Sequence, residues 1–194
     1  RGLSTPAPRL AAYEPSWCGW GFGPGATPAQ LIGALPAVAR LGFRWATLDE
    51  GWFANYGDGE PRDDFGRDGI RRVLRTFHRH GIKMQLWWLP LAVEAGDGRP
   101  GRHRRREARV AREHPEWLIL GTDGQPVRTF GDFAMLCPAV PAVQEYHRQL
   151  VQRFLGEWGF DGLKIDKVFT VPPCHNPAHG HSHPDTLTNA HGHA

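Results

Sequence analysis

A lysine and an aspartate, Lys164 and Asp166, close a short apolar segment of the sequence, GFDGLKID. Side chains alternate between the two faces of a β-strand, so a strand here puts both charged groups on one face and Leu163 and Ile165 on the other. A buried charged pair costs free energy unless it faces a polar cavity. The spacing therefore predicts a pocket with a cation beside a carboxylate, which the cation keeps ionised and able to attack an electron-poor carbon.

Acidic side chains also end a second apolar segment, FRWATLD, where Asp49 and Glu50 are followed by Gly51 and Trp52. A single acid of this kind could equally be a strand-end cap or half of a surface ion pair. Several strand ends that contribute together favour a polar pocket, in which paired carboxylates accept hydrogen bonds from vicinal hydroxyl groups. These residues therefore indicate a site for a polyhydroxylated ligand.

Tryptophan is the most informative feature of the composition. The chain has eight Trp alongside 24 Gly, and Trp is costly to bury without a partner for its indole N–H. Trp20 and Trp88 lie near the ends of predicted strands, which is typical of aromatic-lined pockets for carbohydrates. A large aromatic core is the alternative, and composition alone leaves both interpretations open.

The elements that would position these residues alternate along the chain. The predicted strands are 16–22, 43–49, 82–90 and 160–166, and the predicted helices are 27–42, 68–81 and 141–159. Thr27 and Pro28 predict the start of the first helix, and Pro36 predicts a kink in it or two short helices. Strands that alternate with helices indicate βα units and a parallel sheet. Because no GxGxxG follows the first strand, a dinucleotide-binding fold loses support.

The polar and aromatic residues gather at the carboxyl ends of successive predicted strands, where a TIM barrel builds its active site. A closed barrel of this kind has eight strands and about 250 residues, whereas four strands are recognisable here. We therefore predict an α/β fold, a (β/α)8 TIM barrel that is incomplete and comprises about the first four βα units.

The same signals divide the chain into segments. We predict an N-terminal linker at residues 1–14, the partial barrel at 15–172, and a His- and Pro-rich loop or truncated tail at 173–194. The barrel contains an insertion around 89–140, in which TDGQ predicts a turn with Gly124 available for a positive φ.

Bulk properties narrow the classes of partner. The formal net charge is +3, and the basic excess lies in residues 98–109; we interpret this run as the solvated face of a helix that continues through VAREHPEW, because no aromatic residues are interleaved as a nucleic-acid site would need. No apolar run approaches the length that spans a membrane.

The three cysteines, Cys18, Cys137 and Cys174, form no CxxC pair and suit a reducing, cytoplasmic location. No cofactor is predicted, and the oligomeric state stays open.

Five segments, in order SWCGWG, LDEGWF, GIKMQLWWLP, HPEW and GFDGLKIDKV, resemble the landmarks of the melibiase-type retaining α-galactosidases, glycoside hydrolase family 36. The resemblance runs from about Pro15 to about His183, and LDEGW and LKID are its most specific parts. It implies the amino-terminal half of a glycosidase-type (β/α)8 barrel, a carbohydrate substrate, and hydrolysis of terminal α-galactosides through a covalent intermediate.

The resemblance also implies roles for single residues. Asp166 matches the nucleophile of a K-x-D motif, which forms a covalent galactosyl-enzyme. The predicted substrate-binding residues are Trp20, Asp49, Glu50, Trp52, Trp88, Lys164 and Cys174, the last in a loop expected to cover the sugar. The family's general acid/base lies near the end of the sixth strand, so we expect this chain alone to be inactive or nearly so.

This sequence departs from the family pattern at two strand ends and in the tail. Glu50 stands where the family usually has a second Asp, and Leu89 where it usually has an acid before Pro. Related alternatives are an α-N-acetylgalactosaminidase or a galactosyl transferase, and another is a non-catalytic sugar-binding remnant. A third is a zinc protein, with the ligands Cys174, His175, His179, His181 and His183; we predict a loop without metal there.

Overall fold

The computed structural model describes residues 14–96, 106–129, 133–167 and 171–180. The elements in these ranges are β1 Ser16–Cys18, α1 Pro28–Arg40, β2 Trp45–Leu48, α2 Gly66–His78, β3 Lys83–Trp88, β4 Ala92–Val93, α3 Arg109–Glu113, β5 Ala134–Met135, α4 Pro141–Val151 and β6 Gly162–Ile165. The four strands and three helices predicted from the sequence are confirmed; the strands, α1 and α4 have shorter bounds, and α2 begins two residues earlier and ends three residues earlier than predicted.

Four strands form one parallel sheet in the order β1, β2, β3, β6. The register pairs Cys18 with Thr47, Thr47 with Gln85, and Trp87 with Lys164. Paired residues of neighbouring strands point to the same face of a sheet. These five side chains therefore share one face. We call it the polar face, and it carries the residues that could do chemistry.

The opposite face of the sheet is apolar and packs against α1, α2 and α4. Trp17 of β1, for example, stacks on Phe77 of α2 with 6.0 Å between ring centroids. The buried side chains of this layer include Ala46, Leu48, Met84 and Leu86 from the strands and Leu31, Leu35, Val38, Ile70, Val73 and Leu150 from the helices. Each large side chain buried here stabilises the fold by about 1.5–3 kcal/mol, so these helices hold the apolar face of the sheet.

α1 shows how local sequence sets an element. Its Thr27 hydroxyl accepts a hydrogen bond from the Gln30 N–H at 3.3 Å, and the Gln30 side chain accepts one from the Thr27 N–H at 2.9 Å. This capping box satisfies two of the unpaired N–H groups at the helix start, as predicted from Thr27 and Pro28. Pro36 does not divide the segment into two helices, which corrects the alternative drawn from the sequence. Buried leucine and valine side chains on either side of Pro36 hold α1 together as one helix.

The insertion after β3 forms its own small layer. β4 and β5 pair antiparallel, and the predicted turn is confirmed, since the Gly121 N–H donates to the Gln125 carbonyl at 2.8 Å and Gly124 has φ +72°. The helix predicted from the basic run is shorter than expected. Residues 97–105 lie outside the described residues, and α3 ends at Glu113 because the proline that follows His114 disfavours helical geometry there.

None of the helices in the described ranges is long and apolar enough to cross a bilayer.

The contact between α4 and the sheet contains a histidine that should make stability depend on pH. Burial lowers the pKa of His147 to about 4, although a hydrogen bond to the Pro90 carbonyl opposes the shift. Its Nε2 is buried without a hydrogen-bond partner. The unfolded chain therefore takes up a proton below about pH 6.5, and the folded chain only near pH 4.

We expect the free energy of unfolding to fall as the pH drops from 6.5 to 4, by up to about 3 kcal/mol from this group. Urea unfolding across that range should show a shallower decline for His147→Gln than for the unmodified chain. His80→Gln, at an exposed position just past the end of α2, is the control. An equal decline in both variants would contradict this assignment.

Candidate functional site

Asp49, at the end of β2, is the centre of the strand-end cluster. Its Oδ2 lies 2.6 Å from Lys164 Nζ and accepts a hydrogen bond from Cys18 Sγ at 3.0 Å. Its Oδ1 accepts one from the Glu50 backbone N–H at 2.9 Å. The Asp49 side chain is 5% exposed and that of Lys164 is 42% exposed. A buried carboxylate is thus held by three donors, while the ammonium group reaches the open face.

The electrostatics of the cluster favour a protonated lysine and a protonated thiol. Burial alone would lower the pKa of Lys164, but the hydrogen bond and charge of Asp49 outweigh it and raise that pKa above its usual value. Burial and the hydrogen bond to Asp49 raise the pKa of the Cys18 thiol. Lys164 therefore keeps its positive charge at neutral pH, and Cys18 acts as a hydrogen-bond donor rather than as a nucleophile.

Asp166, directly after β6, is oriented by two N–H groups. The Trp87 indole donates to its Oδ2 at 3.2 Å, and the Lys167 backbone N–H donates to its Oδ1 at 2.8 Å. Lys167 has φ +51°, a conformation that is uncommon for a residue with a side chain and is enriched at functional sites. The backbone and the indole together fix the direction of the Asp166 carboxylate.

The predicted pairing of Lys164 with Asp166 needs one correction. Both residues follow the alternation of β6, but the ammonium group of Lys164 makes its ion pair with Asp49. The strand register explains this, because β6 lies beside β3 and its long lysine side chain reaches across the polar face to the end of β2. Lys164 thereby joins two strand ends.

Close approaches at two glycines, Gly51 after β2 and Gly19 after β1, shape the loops at this end of the sheet. Gly51 has φ +106°, and a Cβ there would lie 2.1 Å from the Pro24 carbonyl oxygen, so only glycine fits. A Cβ on Gly19 would lie 2.9 Å from a Leu31 methyl group. The glycine of the LDEGW segment therefore lets this loop pack against the loop after β1.

Glu50 and Trp20 lie at the ends of β2 and β1. Glu50 accepts a hydrogen bond from the Tyr56 hydroxyl through its Oε1, which directs the carboxylate. Trp20 belongs to a 3₁₀ turn, Gly19–Phe22, and is 47% exposed. The indole next to the end of β1 is thus accessible, and its role as an aromatic wall for a ligand stays a prediction.

The structure places two predicted sugar-contacting tryptophans in the core instead. Trp52 is 1% exposed, packs edge-on against Phe154 and Trp158, and donates its indole N–H to the Trp87 carbonyl at 2.9 Å. Trp88 points to the helix face of β3, where it meets Phe154. Both residues support the site from behind in the described part of the chain, and their assignment as direct ligand contacts stays a prediction.

Cys174 also lies apart from the strand-end cluster. It is buried with Ile119, Met135 and Cys137, and its Sγ is 3.2 Å from His179 Nδ1. The three ligand atoms of Cys137, Cys174 and His179 lie within 4.8 Å of one another, so this group could hold a metal. The thiol of Cys174 faces these neighbours, and its predicted place beside a sugar stays a prediction.

Sequence reasoning missed Cys18, Trp87 and Tyr56 as parts of the site. Cys18 and Trp87 share the polar face because they pair in register with Thr47 and Lys164, and that register depends on which strands are neighbours, which the sequence alone does not show. The strand-end rule favoured Trp88, the last residue of β3, although its neighbour faces the site. No local pattern identifies Tyr56, which lies in the loop after β2 and whose hydroxyl donates a hydrogen bond to Glu50.

Comparison with known proteins gives one family and several relatives. The family model described as Glycosyl hydrolase-like 10 matches residues 48–183. A curated relative, "A type blood alpha-D-galactosamine galactosaminidase" of Flavonifractor plautii, is 32% identical over 96% of this chain and 18% of its own length.

Two solved structures share the architecture. TtGalA, an alpha-galactosidase from Thermus thermophilus in complex with p-nitrophenyl alpha-D-galactopyranoside, is 27% identical with a TM-score of 0.66 over 78% of this chain and 30% of that one. The GH36 alpha-galactosidase AgaA of Geobacillus stearothermophilus is 16% identical with a TM-score of 0.64, over 78% and 21%, and this likeness shows the fold. The chain spans less than a third of each relative, and the resemblance to family 36 seen in the sequence is confirmed.

Proposed function

This chain belongs to the Glycosyl hydrolase-like 10 family, and on that premise we propose that it is the nucleophile-bearing part of a retaining glycoside hydrolase for terminal α-galactosides. The observation that carries the proposal is the polar face of the sheet. There Asp166 is held by two N–H groups, and the Lys164–Asp49 pair lies on the same face.

In this proposal Asp166 attacks the anomeric carbon. Retaining glycosidases use a carboxylate that forms a glycosyl-enzyme, and the leaving group takes a proton from a second carboxyl group. The indole of Trp87 and the N–H of Lys167 limit the rotation of the Asp166 carboxylate. Such restriction favours a near-attack arrangement, because orienting a reacting group before reaction lowers the barrier.

The Lys164–Asp49 pair would bind sugar hydroxyl groups. Lys164 keeps an exposed, charged donor, and hydrogen bonds from charged groups are stronger than those from neutral ones. Trp20 offers an exposed aromatic face beside the same strand end. Donor, acceptor and aromatic surface are the groups that a pyranose with vicinal hydroxyls requires.

The second carboxyl group of a retaining site lies about 5–5.5 Å from the first. We infer that it comes from later strands of a (β/α)8 barrel, of which residues 15–172 form about the first four units. The relatives support this, because the chain spans 30% of TtGalA. Residues 1–14 and 173–194 are then segments that flank the barrel part.

The relatives suggest which substrates to assay, and one of them is a galactosamine galactosaminidase. Aryl α-galactoside, α-galactosaminide, α-N-acetylgalactosaminide and α-glucoside should be assayed with the whole gene product that contains this chain. Proton NMR of the first-formed sugar should show the α-anomer for one of the galacto-configured substrates.

A first-formed β-anomer would contradict the retaining mechanism. Binding of galactose without turnover of any substrate would instead support the alternative, a sugar-binding remnant. Turnover of the α-glucoside alone would contradict the galactoside assignment and leave the retaining chemistry standing.

A further inference from the structure

A second cluster of ionisable side chains lies on the insertion side of the fold, and the established family does not account for it. Cys137 follows β5, and Cys174 and His179 belong to the segment 171–180 that comes after β6. Their ligand atoms lie within 4.8 Å of one another. We propose that these three side chains bind a zinc ion.

The hydrogen bond of His179 Nε2 orients the ring so that Nδ1 can serve as the metal ligand. Its Nε2 lies 2.7 Å from the Glu116 carbonyl oxygen, and a carbonyl can only accept, so Nε2 carries the proton. In the tautomer with the proton on Nε2, the Nδ1 lone pair faces the sulfur of Cys174 at 3.2 Å. Metal-binding histidines are commonly oriented by such a bond from the other ring nitrogen to a backbone carbonyl.

The segment that carries two of the ligands is fixed before any metal binds. The Asn176 amide donates to the Glu116 and Leu118 carbonyls at 3.1 and 2.9 Å, and its oxygen accepts from the Ala178 N–H at 3.0 Å. The backbone N–H of His175 donates to the Leu120 carbonyl at 2.8 Å. The ligands thus approach one another on a rigid frame, which lowers the entropic cost of binding.

Two thiolates and one imidazole form a donor set that zinc prefers. Hydrogen bonding to Cys174 and burial raise the pKa of Cys137, so zinc has to displace the proton of that thiol when it binds. Binding releases both thiol protons to solvent, and the two thiolate charges then balance the charge of Zn²⁺. His179 lies at the edge of the cluster and is partly exposed, so a water molecule completes the tetrahedron.

The site would join two distant parts of the chain. Cys137 belongs to the insertion layer, and Cys174 follows the strand that ends at Asp166. Zinc would therefore anchor the segment that leaves the candidate nucleophile onto the insertion. This anchoring differs from a zinc site made of the tail histidines alone, because Cys137 is essential to it.

The test is metal titration of the 194-residue chain, stripped with chelator and kept reduced. We expect one Zn²⁺ per chain in competition with a chromophoric chelator. Co²⁺ should give the thiolate charge-transfer band and the intense visible bands of a tetrahedral site. Cys137→Ser and Cys174→Ser should each lower the zinc affinity by more than about a hundredfold, since losing only an outer partner of a ligand already costs about 10–100-fold.

Two controls separate the alternatives. Exposed His175→Gln should leave the affinity unchanged, and so should a double variant with His181→Gln and His183→Gln. Loss of binding in that double variant, or zinc retained in Cys137→Ser, would overturn this ligand set. A Co²⁺ spectrum of the unmodified chain without thiolate bands would overturn it too, whether or not any variant folds.

Discussion

Asp166→Gly is expected to lower kcat for an aryl α-galactoside by at least about 10⁴-fold, the size of effect seen when a covalent nucleophile is removed. Azide should restore turnover, because the shortened side chain leaves room for a small anion beside the anomeric carbon. The azide nitrogen then forms the bond that the Asp166 oxygen would have formed, the aryl alcohol leaves, and the product is β-galactosyl azide. Kinetics of the whole gene product with and without azide, with NMR of the product, measure both effects.

The control for this result is a carboxylate of the same type outside the site. Asp123 lies in the exposed turn of the insertion, where its side chain accepts from the Gln125 N–H. Asp123→Asn should keep full activity and show no response to azide. Unchanged activity of Asp166→Gly without azide would remove Asp166 from the chemistry and with it the K-x-D interpretation.

Lys164→Met is expected to weaken binding of a galactose-type inhibitor by roughly 10- to 150-fold. One hydrogen bond from a charged group contributes about 1.5–3 kcal/mol, and each 1.4 kcal/mol is about tenfold in affinity. The same substitution should lower the free energy of unfolding by only about 1 kcal/mol. The lysine side chain is 42% exposed, so solvent screens the pair, and Asp49 keeps its bonds from Cys18 and Glu50.

Lys83→Met is the matched control for Lys164→Met. Lys83 begins β3 on the same face of the sheet and lies over the Trp45 ring at 5.3 Å, at the opposite end from the cluster. It should leave inhibitor affinity unchanged. A double variant with Asp49→Asn tests the coupling: if the two losses in affinity simply add, the Lys164–Asp49 pair does not act as a unit and the proposed role of the pair fails.

The strand-end residues show why part of the site could be predicted from sequence. Alternation within a strand and the position of its last residue depend only on local geometry, so the places of Asp49, Lys164 and Asp166 in the fold could be predicted, whereas their roles stay predictions. Which strand lies next to which depends on the whole sheet, so the sequence could not identify Asp49 as the ion-pair partner of Lys164. β6 lies beside β3, and this adjacency brings in Trp87.

The tryptophans show the limit of composition. Trp20 and Trp52 both follow strands and look alike in sequence, yet one is exposed and the other is buried behind Trp87. Burial is decided by the helices that cover one face of the sheet. In the same way, the thiols of Cys174 and Cys137 lie close together although they are 37 residues apart in the chain. The spacing of the tail histidines could not indicate this contact.

The most direct test of the central claim is to trap the glycosyl-enzyme. The whole gene product is incubated with a fluorinated galactoside that forms the intermediate quickly and releases it slowly, digested with protease, and analysed by mass spectrometry. The account predicts one added fluorogalactosyl group, on the peptide that contains GLKID and specifically on Asp166. A label on any other carboxylate, or turnover of the reagent with no covalent species, would contradict the assignment of Asp166 as the nucleophile.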